Sequence, residues 1–152
     1  MEVNTILEAK GRDVATIAPD ATLADAVASL RDHRVGALVV SSGDSSGAGS
    51  GDGKVAGIIS ERDVVRAVAD HGMGSLTRSV SSTMTTEVRT CRAGDAIESL
   101  MHTMTEGRFR HMPVVDDMGC LAGIISIGDV VKYRLQQLEG ENQTLNDYIT
   151  AR

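Results

Sequence analysis

The chain of 152 residues contains an internal duplication. The segment VAGIISERDVVRAV (55–68) matches LAGIISIGDVVKYR (121–134) at an offset of 66 residues. Further upstream the offset is 74, so that Thr16 matches Thr90. The difference falls in SGDSSGAGSGDG (42–53), whose Gly- and Ser-rich composition predicts a flexible hairpin loop. A duplicated unit of this size cannot bury its apolar face alone, so we expect the two copies to pack together as one domain.

The two copies share one order of predicted elements. Apolar residues at helical spacing in 23–30 and 97–104 predict amphipathic helices. Short β-branched runs at 36–40 and 111–115, together with both GIIS runs, predict strands. The sequence therefore predicts an α/β (α+β) fold in which two β-α-β-β-α repeats pack with pseudo-twofold symmetry. Aromatic residues make up 2% of the chain, so aliphatic side chains and Met must fill the core.

The duplication also divides the chain into five segments. The last of them is expected to be a helix that is interrupted near Gly140. The segments are an N-terminal helical segment (1–13), repeat 1 (14–71), a linker (72–82), repeat 2 (83–138) and a C-terminal helical tail (139–152).

Composition restricts the class of partner and the compartment. The net charge is −6 and no basic run is present, which argues against nucleic acid as a partner. No window approaches the ~18 apolar residues of a membrane helix, and the N-terminus lacks the apolar core of a signal peptide. Cys91 and Cys120 lack metal-site spacing, so buried thiols are expected and a disulfide is the alternative. These features predict a cytoplasmic protein.

Both copies of the GIIS strand run directly into a helix and keep Ser and Asp three residues apart. The pairs are Ser60 with Asp63 and Ser126 with Asp129. This spacing is typical of a capping box, in which the Ser side chain and the Asp carboxylate accept backbone N–H groups at the helix start. A helix start also favours anionic ligands, so capping and ligand binding are compatible roles.

The duplicated pattern resembles a tandem cystathionine β-synthase-type (CBS) domain pair, also called a Bateman module. The supporting motifs are STMTTEVRT (82–90), RFRHMPVVDD (108–117) and Gly-Ile-Ile-Ser-x-x-Asp in both copies, and the resemblance covers roughly 14–138. It implies a module that binds AMP, ATP or NAD in clefts between the repeats, with AMP the expected ligand. It also implies a homodimer, often a flat disc of four repeats, and an unidentified regulated protein.

The resemblance implies roles for four groups of residues. It assigns Asp63 and Asp129 to ribose hydroxyls, with Ser60 and Ser126 near ribose or phosphate oxygens. It places the segments of Thr16 and Thr90 at the adenine edge. It places Ile58 and Ile124 against the faces of the adenine ring, for which ordinary strand packing is the alternative. It also brings Met112 and Pro113, on the middle strand of repeat 2, into the expected site.

Three basic residues precede or begin that middle strand. Strand alternation would place Arg108 and Arg110 on one face, with His111 on the other face or turned at the start of the strand. The resemblance implies that all three reach phosphate groups, and exposed strand-edge arginines are the alternative.

The first repeat lacks this basic cluster. Arg34, Gly36 and Ala37 stand at the matching positions, although Arg62 could add a phosphate contact there. We therefore expect two unequal clefts, one of higher affinity than the other.

The sequence contains no recognisable catalytic motif. There is no GxxxxGK[ST] phosphate loop and no recognisable nucleophile–base arrangement. A non-enzymatic nucleotide sensor is therefore the leading hypothesis. The alternative is a structural or partner-binding module with vestigial clefts.

Overall fold

A computed structural model describes residues 1–42 and 53–150 of the chain. Most of the loop predicted at 42–53 therefore lies outside the described residues. The described part contains five helices that we label α1–α5, five strands labelled β1–β5, and two short 3₁₀ helices. In chain order they are α1 (Val3–Lys10), β1 (Thr16–Ile17), α2 (Leu23–His33), β2 (Ala37–Ser41), β3 (Val55–Ser60), α3 (Glu61–His71), the 3₁₀ helices Met73–Thr77 and Val80–Ser82, α4 (Ile97–Gly107), β4 (His111–Val115), β5 (Leu121–Ser126) and α5 (Ile127–Thr150).

Each repeat forms its own small sheet. In repeat 1 the strand order is β1-β2-β3, with β1 parallel and β3 antiparallel to β2. In repeat 2, β4 and β5 are antiparallel, and a single parallel bridge between Cys91 and Val114 stands where repeat 1 has β1. Both sheets have a helix before and after the antiparallel pair, which confirms the predicted α/β class and the β-α-β-β-α repeat.

The helix starts are capped by local side chains. The Thr22 hydroxyl accepts the Asp25 N–H at the start of α2, and the Asp25 carboxylate accepts the Thr22 N–H. The backbone N–H and the hydroxyl of Thr22 hold the pKa of Asp25 below its usual value. Ser60 and Asp63 form the same reciprocal pair at the start of α3. These caps fix the point at which each strand or loop becomes a helix.

The two hydrophobic cores are completed by crossed segments. Val3, Ile6 and Leu7 of α1 are buried in the core of repeat 2, although α1 precedes repeat 1 in the chain. Val80, which precedes repeat 2, is buried in the core of repeat 1. The segment leading into each repeat therefore packs on the other repeat, and this exchange joins the repeats into one module.

Two glycines allow the leading segments to approach the sheets closely. A Cβ at Gly57 would lie 2.6 Å from Met84 Sδ and 2.8 Å from the backbone oxygen of Thr85. A Cβ at the matching Gly123 would lie 2.8 Å from Leu7 Cδ2. All three distances are shorter than a Cβ normally tolerates, so a side chain at either position would force the neighbouring segment to shift.

Two predictions of local structure are wrong. Arg108 adopts φ 55° as the residue that ends α4, and β4 begins only at His111, so Arg108 and Arg110 do not alternate along a strand. Helix α5 continues through Gly140 without a break. Nothing lies within 4 Å of a Cβ built at Gly140, so no neighbour requires glycine here. Relative to alanine, this glycine destabilises the helix by only about 1 kcal/mol.

Among the described residues, no helix is both long and apolar enough to cross a membrane.

Candidate functional site

The Ser60–Asp63 corner joins β3 to α3. The Oδ2 atom of Asp63 accepts the Ser60 N–H at 2.8 Å and the Ser60 hydroxyl at 3.0 Å. The Asp63 N–H points back to Ser60 Oγ at 3.4 Å. Within residues 1–42 and 53–150, Asp63 Oδ1 accepts no hydrogen bond, so one carboxylate oxygen stays open for a ligand hydroxyl.

The Ser126–Asp129 corner joins β5 to α5 in the same way. Asp129 Oδ2 accepts the Ser126 N–H at 2.8 Å, and the Asp129 N–H donates to Ser126 Oγ at 3.1 Å. Here the second donor is a cation, because Lys10 Nζ lies 2.7 Å from Asp129 Oδ2 and also donates to the Ile124 carbonyl at 2.9 Å. Burial alone would raise the pKa of Asp129, but Lys10 and the Ser126 N–H outweigh it and hold that pKa below its usual value.

The sequence did not identify Lys10 as a site residue. It ends α1, and Leu7 of this helix lies against Gly123 as Met84 lies against Gly57, so Met84 corresponds to Leu7 and not to Lys10. The available signal was a basic residue in the segment that leads into a repeat, but only the crossed packing places it on the carboxylate of the other repeat.

The strand faces beside these corners are half-exposed. Ile58 and Ile124 are half-buried, while the alternate residues Ile59 and Ile125 are fully buried in the cores. Ile58 also exchanges both backbone hydrogen bonds with Thr85, at 3.0 and 2.9 Å. The two isoleucines therefore lie on the faces of their strands that point away from the buried cores.

Thr16 and Thr90 lie on the segments that precede the first helix of each repeat. Thr16 is exposed in β1 and pairs with Val39. Thr90 is exposed and directly precedes Cys91, whose N–H donates to the Pro113 carbonyl at 3.0 Å. Both threonines keep solvent access.

The His111 side chain of repeat 2 lies against repeat 1. It pairs with Ser126 across the β4–β5 ladder. A Cβ at Gly36 would lie 3.2 Å from the His111 ring and 4.0 Å from the Glu61 carboxylate, so the ring reaches repeat 1. Burial lowers the pKa of His111, and the Arg110 charge lowers it further, which favours a neutral imidazole.

The remaining predicted residues divide into exposed and buried. Arg62, Arg108 and Arg110 are exposed, and none pairs with a carboxylate of the part of the chain described. Met112 and Pro113 are buried, and Met112 belongs to the core of repeat 2, so its side chain is occupied by packing.

A separate groove lies on the helical side of repeat 1. It has a volume of about 700 Å³ and runs between α2 and α3, with Val27, Val65, Arg34 and Glu61 among its lining residues.

In the described ranges no cluster of three or more His, Cys, Asp or Glu side chains forms a metal site.

Comparisons with known proteins agree with this architecture. The family profile described as CBS domain matches residues 8–70 and 78–136. A crystal structure of a CBS-domain containing protein from Agrobacterium tumefaciens is 49% identical, with a TM-score of 0.79 over 88% of this chain and 92% of that one. A CBS domain protein from Pyrobaculum aerophilum complexed with AMP is 25% identical, with a TM-score of 0.72 over 85% of this chain and 89% of that one.

Among curated proteins, the mitochondrial CBS domain-containing protein CBSX3 of Arabidopsis thaliana is 39% identical over 86% of this chain. The match spans 61% of that relative's length. With two matched repeats and the crossed fold, the chain belongs to the CBS-domain family, as a tandem CBS pair. This confirms the resemblance found in the sequence.

Proposed function

We propose that this chain is a regulatory module that binds an adenine nucleotide in the clefts at its two Ser/Asp corners, with AMP as the first candidate and ATP and NAD as further ones. The single observation that carries the proposal is the repeated corner. In both repeats the helix cap holds an Asp side chain by its Oδ2 atom, and Oδ1 accepts no hydrogen bond from the described residues. A vicinal diol such as ribose supplies two O–H donors that suit this acceptor.

The surroundings of the corners suit the rest of such a ligand. The half-buried Ile58 and Ile124 offer apolar contact to a base. Exposed arginines without carboxylate partners in the described part, Arg62, Arg108 and Arg110, offer positive charge to phosphate in a chain of net charge −6. The AMP complex of the Pyrobaculum relative supports an adenine ligand.

The proposed action is binding without catalysis in a cytoplasmic setting. Ligand binding would shift how the repeats, or two chains, sit together, and a partner protein would respond to that change. The competing function is a structural module with vestigial clefts. The intact acceptor geometry in both repeats favours the sensor.

Association of two chains is part of the proposal. Val27 and Val65 border the groove of repeat 1, and Val131, the counterpart of Val65, lies on α5 of repeat 2. All three are at least 42% exposed, so related positions of the two repeats present apolar side chains. A homodimer that packs these helix faces would cover them.

Thermal unfolding with AMP, ATP and NAD tests the function. A ligand at a hundredfold excess over its Kd should stabilise the fold by about 2.7 kcal/mol. Asp63→Asn and Asp129→Asn should each reduce the shift. Absence of a shift with every adenine ligand would leave the vestigial-cleft alternative.

Arg110→Ala tests the phosphate contact. AMP should bind more weakly to this variant, while adenosine binding should be unchanged because it carries no phosphate. Arg134→Ala is the matched control, since Arg134 is exposed on α5 and donates to Gln137 at 2.8 Å. Equal losses of AMP and adenosine binding in Arg110→Ala would contradict a phosphate role.

A further inference from the structure

The two Ser/Asp corners differ in one neighbour. At Asp129 the neighbour is the ammonium group of Lys10, 2.7 Å from Oδ2. At Asp63 the carboxylate accepts hydrogen bonds from Ser60 alone within the described residues, and no cationic side chain there pairs with it. One ribose-type acceptor therefore has a cationic neighbour that the other lacks in the described part of the chain.

The number of hydrogen bonds that each Asp carboxylate can accept determines how this difference affects ribose binding. Each carboxylate oxygen has two lone pairs. At Asp129, Oδ2 accepts the Ser126 N–H and the Lys10 ammonium. At Asp63, Oδ2 accepts the Ser60 N–H and the Ser60 hydroxyl. A diol that binds both oxygens can use the open Oδ1 directly, but its second hydroxyl must displace a donor from Oδ2.

The displaced donor differs between the clefts. The Ser60 hydroxyl is neutral and can turn about its C–O bond to another acceptor. The Lys10 ammonium is a cation whose side chain is 31% exposed, and it would lose its counter-ion beside a carboxylate that is 24% exposed. Breaking a partly buried pair is costly when one charge stays uncompensated. A ligand with its own anionic group can supply a new partner to that ammonium.

We propose that Lys10 is a specificity-determining residue that makes the Asp129 cleft selective for ribose ligands carrying a phosphate, while the Asp63 cleft also accepts neutral nucleosides. The inference rests on the proposed function, because it assumes that the two carboxylates receive ribose. The lowered pKa of Asp129 agrees with an ion pair that is fully formed at neutral pH.

Calorimetric titration with adenosine and with AMP tests the inference on the full chain. An Asp63→Asn background removes the ribose acceptor of repeat 1, so binding reports on the Asp129 cleft. In this background Lys10→Met, which removes the charge and keeps an unbranched side chain, should reduce the ratio of the adenosine Kd to the AMP Kd by about three- to tenfold. Adenosine should bind more tightly and AMP more weakly.

Two further variants keep the result interpretable. Lys10→Gln removes the charge but retains a polar donor, and it should change the ratio in the same direction even if Lys10→Met disturbs packing. Lys54→Met makes the same charge change at an exposed residue beside the far end of β3 and should leave the ratio unchanged.

The outcomes separate this inference from the proposed function. If the Asp63→Asn chain binds AMP but neither Lys10 variant changes the ratio, selectivity by Lys10 is wrong and nucleotide binding stands. The same holds if the Lys10 variants weaken adenosine and AMP equally, since Lys10 then only positions Asp129. If the Asp63→Asn chain binds neither ligand while it remains folded, nucleotide binding at this cleft is wrong as well.

Discussion

Gly123→Ala tests the crossed packing of the leading segments. The new methyl group would lie 2.8 Å from Leu7 Cδ2 and 3.4 Å from Cδ1, and Leu7 is 1% exposed. Overpacking of this kind costs about 1–3 kcal/mol in the free energy of unfolding. Because the atoms in conflict belong to the end of a side chain, truncating that side chain should remove most of the cost.

The double variant measures this coupling. Leu7→Ala alone should cost about 2–5 kcal/mol, since it empties a buried site. In the Leu7→Ala chain, Gly123→Ala should cost less than about 0.5 kcal/mol, which gives a coupling energy of about 0.5–3 kcal/mol. Urea unfolding followed by circular dichroism gives each free energy, provided that the slope with urea is constant across the variants.

The matched glycine of repeat 1 provides the contrast. A methyl group at Gly57 would lie 2.8 Å from the Thr85 carbonyl oxygen. That oxygen accepts the Ile58 N–H, and the Thr85 N–H donates to the Ile58 carbonyl, so the Thr85 backbone is held in place. Met84→Ala should therefore rescue Gly57→Ala only in part. The reasoning would be refuted if Gly123→Ala cost the same with and without the Leu7 side chain.

Three further predictions concern local interactions. Thr22→Ala should cost about 1 kcal/mol in urea unfolding because it removes the cap of α2; a loss below about 0.2 kcal/mol would contradict this. The fold favours neutral His111, so the stability that this residue contributes is full above the unfolded pKa of 6.5 and falls as pH drops through the lower folded pKa. Stability should fall between pH 7 and 5 by up to about 1.4 kcal/mol per pH unit, and His111→Gln should flatten that slope. Burial raises the pKa of Cys91 to about 12, so in the native protein a thiol reagent should modify Cys120 first; equal rates would contradict the buried site.

The repeat and its periodicity were sufficient to predict the order of helices and strands. Each prediction rested on local physics: apolar spacing in α2 and α4, β-branched runs in β2 and β4, and the Ser/Asp caps. These signals are strong because each one is repeated at a fixed offset, and two agreeing copies reduce the ambiguity of a short apolar run.

Long-range and conformational features could not be predicted in the same way. The placement of Lys10 on Asp129 depends on which repeat α1 packs against, and no local pattern encodes that choice. The ending of α4 at Arg108 requires a positive φ in a residue type that seldom adopts it, so alternation was wrongly extended upstream of His111. The continuous helix at Gly140 shows that flanking helix formers outweigh one exposed Gly.

The central claim is that Asp63 and Asp129 are the acceptors of two separate nucleotide clefts. Calorimetric titration with AMP measures this most directly through the number of ligands bound per chain. We expect two for the unmodified chain, one for Asp63→Asn, one for Asp129→Asn and none for the double variant, all with retained helix content. A folded double variant that binds AMP with the affinity and stoichiometry of the unmodified chain would contradict the claim.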